Sequence, residues 1–225
     1  MAIRFGALGD IHGDFAAVRR AMTAHPEVPF WLCVGDVADV DGRYEPFPSP
    51  VYWIKGNNEN FDAIAAGELP DALHYIPNGT IVDPGGVRVA GLGGTFAPTM
   101  YEVPAAELPH PKKGSAKATE LADRRRHFVR EEVEACKRMR GVDVLLTHEA
   151  PRPFRVGGMD AGKTPINEVL VAMKPRLHLF GHHHRFAEAK VAGVRSVCLD
   201  VVGKGYLLVD SETLEFRVPR LSTER

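Results

Sequence analysis

The 225-residue sequence predicts an α/β fold. Three observations carry the expectation: short apolar runs that each stop at a glycine and a polar residue, apolar residues at helical spacing directly after the first of these runs, and a later stretch of consecutive strands divided by turn residues. With 44% hydrophobic residues the chain can bury a sizeable core, and one domain over residues 1–225 is expected.

Taken in order, residues 3–9 (IRFGALG) read as a buried strand ending at Gly9-Asp10, after which Phe15, Val18 and Met22 share one helical face. FWLCVGD (30–36) and VYWIKGN (51–57) repeat the pattern of apolar strand and polar end, and a short helix is expected over 59–66. LHYI, TIV and VRVAGLGG follow as strands, with Pro77-Asn78-Gly79 as the turn between the first two. Residues 97–116 carry Pro98, Pro104, Pro109 and Pro111 without periodicity, as a functional cover or a disordered segment does. A long helix is expected over roughly 118–139, with Leu121, Phe128, Val129, Val133, Cys136 and Met139 as its buried stripe and Gly141 as its stop. On that helix the Arg124-Arg125-Arg126 run could contact phosphates, but among acidic and basic neighbours it reads rather as a solvated face. VDVLLTH is a strand, 166–173 a helix and LHLFGH a strand, and VRSVCLD, GYLLVD and LEFRV make a tail of short strands.

The 28 basic and 29 acidic residues nearly cancel, so no global positive field announces a nucleic-acid or membrane-surface partner. Neither a signal-peptide pattern nor a run long enough to span a bilayer is visible, and a cytoplasmic address with no membrane partner is the expectation. Cys33 and Cys198 sit inside apolar strand runs, where a thiol behaves as a small core side chain, and no disulfide framework is expected.

Chemistry concentrates in five blocks, each following an apolar strand: Gly9-Asp10-Ile11-His12-Gly13, Gly35-Asp36, Gly56-Asn57-Asn58-Glu59, Thr147-His148 and Gly181-His182-His183-His184. Parallel sheets bind ligands at the carboxyl ends of their strands, so residues distant in sequence can meet in one crevice. Asp10, His12, Asp36, Asn57, His148, His182 and His184 together offer carboxylates, an amide oxygen and imidazoles, a set suited to Mn, Fe, Zn or Co. They are too many for one ordinary site and enough for two ions if a carboxylate is shared. Each residue alone has an ordinary reading as a loop, turn or surface group; the order of the five blocks does not.

In these blocks the sequence resembles the calcineurin-like metallophosphoesterases over most of its length. The resemblance implies a four-layer αββα sandwich with two mixed β-sheets flanked by helices. It also implies Asp10, His12, Asp36 and His184 around one metal, Asp36, Asn57, His148 and His182 around the other, and Asp36 as the bridge. Within that superfamily the stretch from Val87-Arg88-Val89-Ala90-Gly91 to Asp143-Val144-Leu145-Leu146-Thr147-His148 is similar to the catalytic domain of intron-lariat debranching enzymes, without room for their extra C-terminal region. The activity implied is hydrolysis of a phosphate ester by a metal-bridging hydroxide, on a substrate such as a nucleotide or nucleic acid. Candidates for orienting the imidazoles are Glu59, Asp39 and Glu149, with Asp39 read rather as a turn or cap residue.

Asn58 departs from the pattern, since most of the superfamily has there a histidine credited with protonating the leaving oxygen. Asparagine has no proton to give, which favours activated diesters; Asn58 is then a phosphate contact, and His183, His110 or the substrate supplies the proton. His183 is more simply a spacer, and His110 a surface residue of the Pro-rich loop. The alternative is a catalytically weak metal-binding interaction module of the same fold. Gly157-Gly158-Met159-Asp160-Ala161-Gly162-Lys163-Thr164 spells a phosphate-binding loop, but Pro151, Pro153 and Pro165 deny it the strand-to-helix context, and it reads as a chance match. Bordering the crevice, it offers Arg152, Arg155 and Lys163 as phosphate contacts.

Overall fold

Residues 4–112 and 121–219 are described by a computed structural model of the chain. In chain order the elements are β1 (Arg4–Leu8), α1 (Phe15–Ala24), β2 (Trp31–Cys33), β3 (Val51–Trp53), α2 (Phe61–Ala66), β4 (Leu73–Tyr75), β5 (Ile81–Val82), β6 (Val89–Leu92), β7 (Thr95–Phe96) and β8 (His127–Phe128). There follow α3 (Arg130–Lys137), β9 (Val144–Thr147), β10 (Arg155–Val156), β11 (Met159–Asp160), α4 (Thr164–Met173), β12 (Leu177–Phe180), β13 (Ala187–Val191), β14 (Val194–Cys198), β15 (Leu207–Asp210) and β16 (Phe216–Arg217).

Two six-stranded sheets form, in the orders β16-β15-β1-β2-β3-β4 and β13-β14-β12-β9-β6-β5. Both are mixed: β1 to β4 run parallel in the first sheet, which ends on parallel β4 at one side and on antiparallel β15 and β16 at the other, and β6, β9, β12 and β14 run parallel in the second, between antiparallel β5 and β13. Parallel central strands must be covered on both faces, which is why runs such as Trp31-Leu32-Cys33 and Val144-Leu145-Leu146 are apolar throughout. Alternate side chains point each way. Phe5, Leu32, Ile54, Val144, Leu146 and Leu179 meet between the sheets; Leu8, Trp31 and Trp53 face outward onto Phe15, Val18 and Met22 of α1. Leu145 and Ala90 face the other way, onto Val133 and Cys136 of α3 and Ile166, Val169 and Leu170 of α4. The layers are thus helix, sheet, sheet, helix, as expected.

Local signals set the helix ends. Asp14 accepts from Ala17 N at 3.0 Å to start α1, Asn60 accepts from Ala63 N at 3.0 Å to start α2, and Gly67, at φ 70°, closes α2. The cysteines are free and buried, and no helix among the described residues is long and apolar enough to cross a membrane.

The long helix expected over 118–139 is not present. Its first residues, 118–120, lie outside those described; Arg124–Arg126 make a 3-10 turn, His127–Phe128 pair in parallel with β7, and only Arg130–Lys137 is α-helical. The Leu121, Phe128 and Val129 spacing mimicked a helical stripe, yet Leu121 is exposed, while Phe128 enters the core against Phe96 and Tyr101 as part of a strand. Tertiary pairing overrides local propensity here. The described part of the Pro-rich loop, 97–112, is pinned by buried Tyr101 and Leu108; its remainder, 113–116, is outside the description. The phosphate-loop spelling at 157–164 is divided among the β10–β11 turn at Gly157 (φ 56°) and Gly158 (φ 85°), strand β11 and a connection that reaches α4 at Thr164, so it does not form one loop from strand to helix. Edge strand β13 was not foreseen, because among its residues only Val191 is buried and the apolar signal is absent.

Candidate metal centre

All five blocks lie just beyond the carboxyl ends of parallel strands: β1 delivers Asp10 and His12, β2 Asp36, β3 Asn57 and Asn58, β9 His148, and β12 His182 and His184. The two sheets therefore each contribute to one crevice. Two glycines allow the approach. A Cβ at Gly56 would stand 2.0 Å from Asp36 Oδ1, and one at Gly181 would stand 2.2 Å from Asp10 Oδ1, so the carboxylates occupy space that any side chain would fill.

Asp10, His12 and His184 form one grouping, and Asp10, Asp36 and His148 another, with ligand atoms within 4.8 Å of one another in each. His184 Nε2 is 3.1 Å from Asp10 Oδ2 and 3.0 Å from His12 Nε2. Asp36 Oδ2 lies 3.6 Å from His12 Nε2 and 3.6 Å from His148 Nε2, between the two groupings, while Asp10 belongs to both. The His182 ring lies beside that of His148, centroids 4.9 Å apart and planes inclined at 60°, and its backbone N–H donates to Asp10 Oδ2 at 3.0 Å. Backbone strain concentrates here: among the non-glycine residues with positive φ are His12 (47°), Asp36 (51°), His182 (70°) and His184 (48°).

The donor chemistry fits a cation. The Val34 carbonyl accepts from His148 Nδ1 at 2.9 Å, which places the proton on Nδ1 and leaves a neutral ring's lone pair at Nε2. Nε2 faces Asn57 Oδ1 at 3.0 Å, so a proton on the ring, or a cation in its place once the ring is neutral, answers both atoms. Burial opposes charge on His148, but Asp10 and Asp36 outweigh it and raise its proton affinity, a field that attracts any cation. Burial pushes His182 down to about 4, keeping it neutral as a metal ligand must be. For Asp10 burial acts upward, yet His184, His148 and the His182 amide together hold it below the usual carboxylate range.

The expected orienting carboxylates do other work. Glu59 accepts from Val37 N (3.0 Å), Ala38 N (3.3 Å), Gly56 N (3.2 Å) and Tyr44 OH (3.0 Å), tying together the loops after β2 and β3. Asp39 accepts from Asp41 N and Arg43 N as a turn residue. Glu149 takes Phe96 N at 3.1 Å. The Val34 carbonyl orients His148 instead, and a backbone oxygen leaves no trace in a residue pattern.

Asn58 donates twice to Asp36, from its backbone N–H to Oδ1 at 2.8 Å and from its side-chain amide to Oδ2 at 2.9 Å. His183 packs at a tilt against Phe154 (centroids 4.6 Å apart) and His110 is exposed with Nδ1 on Leu108 O; neither lines the cleft beside His12, Asn57 and Asn58. Arg152 is engaged by Asp160 at 2.8 Å and Arg155 is exposed on the hairpin, whereas Lys163 reaches to 3.9 Å from Glu149 and adds to the lowering of His182.

Residues 3–186 match the sequence model of the calcineurin-like phosphoesterases. The chain belongs to that family. Its two Asp/His groupings are of the kind that makes a metal site typical of such hydrolases. The lariat debranching enzyme of Schizosaccharomyces pombe is 24% identical over 200 residues, and the match spans 77% of this chain but only 42% of that protein. Three solved structures share the fold. They are TT1561 of Thermus thermophilus (12% identity, TM-score 0.62, 98% of this chain and 99% of that one), a putative 5′-nucleotidase from Staphylococcus aureus (13%, 0.52, 98% and 53%), and GAP50, the anchor in the inner membrane complex of Plasmodium (12%, 0.51, 100% and 90%). An anchor and a putative nucleotidase on one fold show that the site, not the architecture, must decide the activity.

Proposed function

We propose that this phosphoesterase is a metal-dependent phosphodiesterase favouring substrates with a stable leaving group. The observation that carries the reading is Asn58, whose two donors brace Asp36 and which has no proton to release. Asp10, His12, Asp36 and His184 would hold one cation, and Asp36, Asn57, His148 and His182 a second. When bound, such a pair lowers the pKa of an attacking water and neutralises phosphoryl charge.

The chain's own residues supply the rest. The Val34 carbonyl fixes the ring of His148, the His182 amide and its glycine neighbour fix Asp10, and Asn58 fixes Asp36, so the donors are set before substrate arrives. The second amide hydrogen of Asn58 is available to a phosphoryl oxygen. Without a general acid, worth ~10²- to 10⁴-fold, an alkoxide departs slowly and a phenolate does not. The likeness to lariat debranching enzyme suggests a nucleotide or nucleic-acid diester as the substrate class.

Protein supplied with Mn²⁺ and bis(p-nitrophenyl) phosphate tests this. Metal-dependent release of p-nitrophenolate, abolished in Asp36→Asn and exceeding hydrolysis of p-nitrophenyl phosphate, is expected. Release indistinguishable from the Asp36→Asn control, or predominant monoesterase activity, contradicts it.

A further inference from the structure

The Arg124-Arg125-Arg126 run is not a solvated helix face, and its members go to different places. Arg125 is held by Asp123 (Nε to Oδ1, 3.0 Å), by Asp62 (2.7 Å) and by the Phe61 carbonyl (3.3 Å), which ties the turn to α2. Lys55, only 8% exposed, donates its ammonium to the carbonyls of Arg125 (2.8 Å) and His127 (3.1 Å). A buried ammonium is costly, and here its observed bonds all serve the backbone of this one turn. Gly94, at φ 89°, lets the turn pack closely, since a Cβ there would meet the Arg126 carbonyl oxygen at 2.5 Å.

What this scaffold presents is Arg126. Its Nε donates to the Asp123 carbonyl at 3.0 Å, and its two terminal amino groups have no acceptor among the described residues. It lines a cleft of about 640 Å³ together with His12, Asn57 and Asn58. Asp62 and Asp123 in that cleft share Arg125, Asp41 pairs with Arg43 at 3.2 Å, and Asp39 and Glu59 are bonded by backbone amides, so each carboxylate has a partner other than Arg126. Of the two cleft arginines, Arg126 is the one without a carboxylate partner among the described residues.

We infer that Arg126 is a substrate-binding residue whose guanidinium edge grips an oxyanion of the phosphate ester in the cleft beside Asn57, Asn58 and His12. The inference rests on the phosphodiesterase reading. The planar fork of a guanidinium matches two phosphate oxygens, and since it keeps its proton at neutral pH it binds and stabilises charge without acting as the missing acid. The oxyanion is either on the phosphoryl group being cleaved or on a further phosphate of the substrate.

Steady-state kinetics of Mn²⁺-supplied wild type, Arg126→Ala, Arg126→Lys and Arg124→Ala separate these cases. The substrates are bis(p-nitrophenyl) phosphate and the p-nitrophenyl 5′-ester of thymidine 3′,5′-bisphosphate, with inorganic phosphate as inhibitor and a thermal melt of each variant to verify folding. Arg126→Ala is expected to lower kcat/KM and weaken phosphate inhibition by roughly 10- to 100-fold, the range of a charge-assisted contact. Arg126→Lys should recover part of this, added guanidinium should recover part in Arg126→Ala, and Arg124→Ala should stay within about twofold, Arg124 being absent from the cleft. Loss on both substrates assigns the contact to the reacting phosphoryl group; loss on the bisphosphate alone assigns it to the second phosphate. Unchanged kinetics and phosphate inhibition in folded Arg126→Ala overturn the inference. If wild type cleaves neither substrate the phosphodiesterase reading fails, and calorimetry with inorganic phosphate then decides: equal affinity in wild type and Arg126→Ala overturns the role, weaker affinity in the variant supports it.

Discussion

Asn58 grips both oxygens of Asp36, at 2.8 Å from its backbone and 2.9 Å from its side chain, and the same Asp36 carboxylate stands 3.6 Å from the Nε2 atoms of His12 and His148. The residue that departs from the family pattern is therefore built into the support of the carboxylate between the two groupings. In the proposed function, this brace stands where an acid would.

Asn58→His should reverse the exchange. An imidazole at this position gains a proton to donate and loses the side-chain bond to Asp36. The rate on an alkyl diester relative to bis(p-nitrophenyl) phosphate is expected to rise at least about tenfold, whatever happens to the absolute rates. A leaving-group series measures the ratio; a ratio unaltered by the substitution removes Asn58 as the reason for the bias.

Gly56→Ala places a methyl group where Asp36 Oδ1 now lies, 2.0 Å away, and Gly181→Ala does the same against Asp10. Overpacking of this kind costs ~1–3 kcal/mol in stability. The larger effect should fall on the metal: the rise in Tm that Mn²⁺ gives wild type is expected to shrink in both variants. Thermal melts with Mn²⁺ and with EDTA test it, and an undiminished rise would show that the carboxylates tolerate displacement.

His178 ties stability to pH. Fully buried, it sits in a chain of bonds in which Thr147 Oγ1 donates to the Glu149 carbonyl at 2.7 Å and accepts from His178 Nε2 at 2.8 Å, with Ser196 Oγ at 3.1 Å from Nδ1. Burial pushes the ring down to about 3, against an ordinary 6.5. Above pH 6.5 neither folded nor unfolded chain carries this proton, and stability is whole. Below it the unfolded chain takes the proton and the folded one does not, so stability is lost as pH falls from 6.5 toward 3. The slope is about 1.4 kcal/mol per pH unit, or ~2 kcal/mol by pH 5. Urea unfolding in EDTA at pH 7.5 and 5 should show His178→Gln losing less than wild type by about that amount; equal losses would mean that His178 titrates normally.

The layers and the convergence of the five blocks were legible because they rest on strong local signals. Apolar runs such as Trp31-Leu32-Cys33 demand burial on both faces, and each of Asp10, Asp36, Asn57, His148 and His182 follows such a run within a few residues. What the pattern hid depends on tertiary partners. Phe128 carries the spacing of a helix and joins a strand because Thr95 and Phe96 are there to pair with it. The role of Arg126 depends on a turn fixed by Lys55 from far away in the sequence; a lysine between apolar Ile54 and Gly56 was the available sign. Val34 acts through its carbonyl, which every residue possesses.

Calorimetric titration of chelator-treated protein with Mn²⁺ tests the centre most directly. Two ions per chain are expected for wild type, with weakened binding at both sites in Asp36→Asn because that carboxylate stands 3.6 Å from the Nε2 atoms of both His12 and His148. Binding of one ion or none by the wild type, or two-ion binding unaffected by Asp36→Asn, would contradict that expectation.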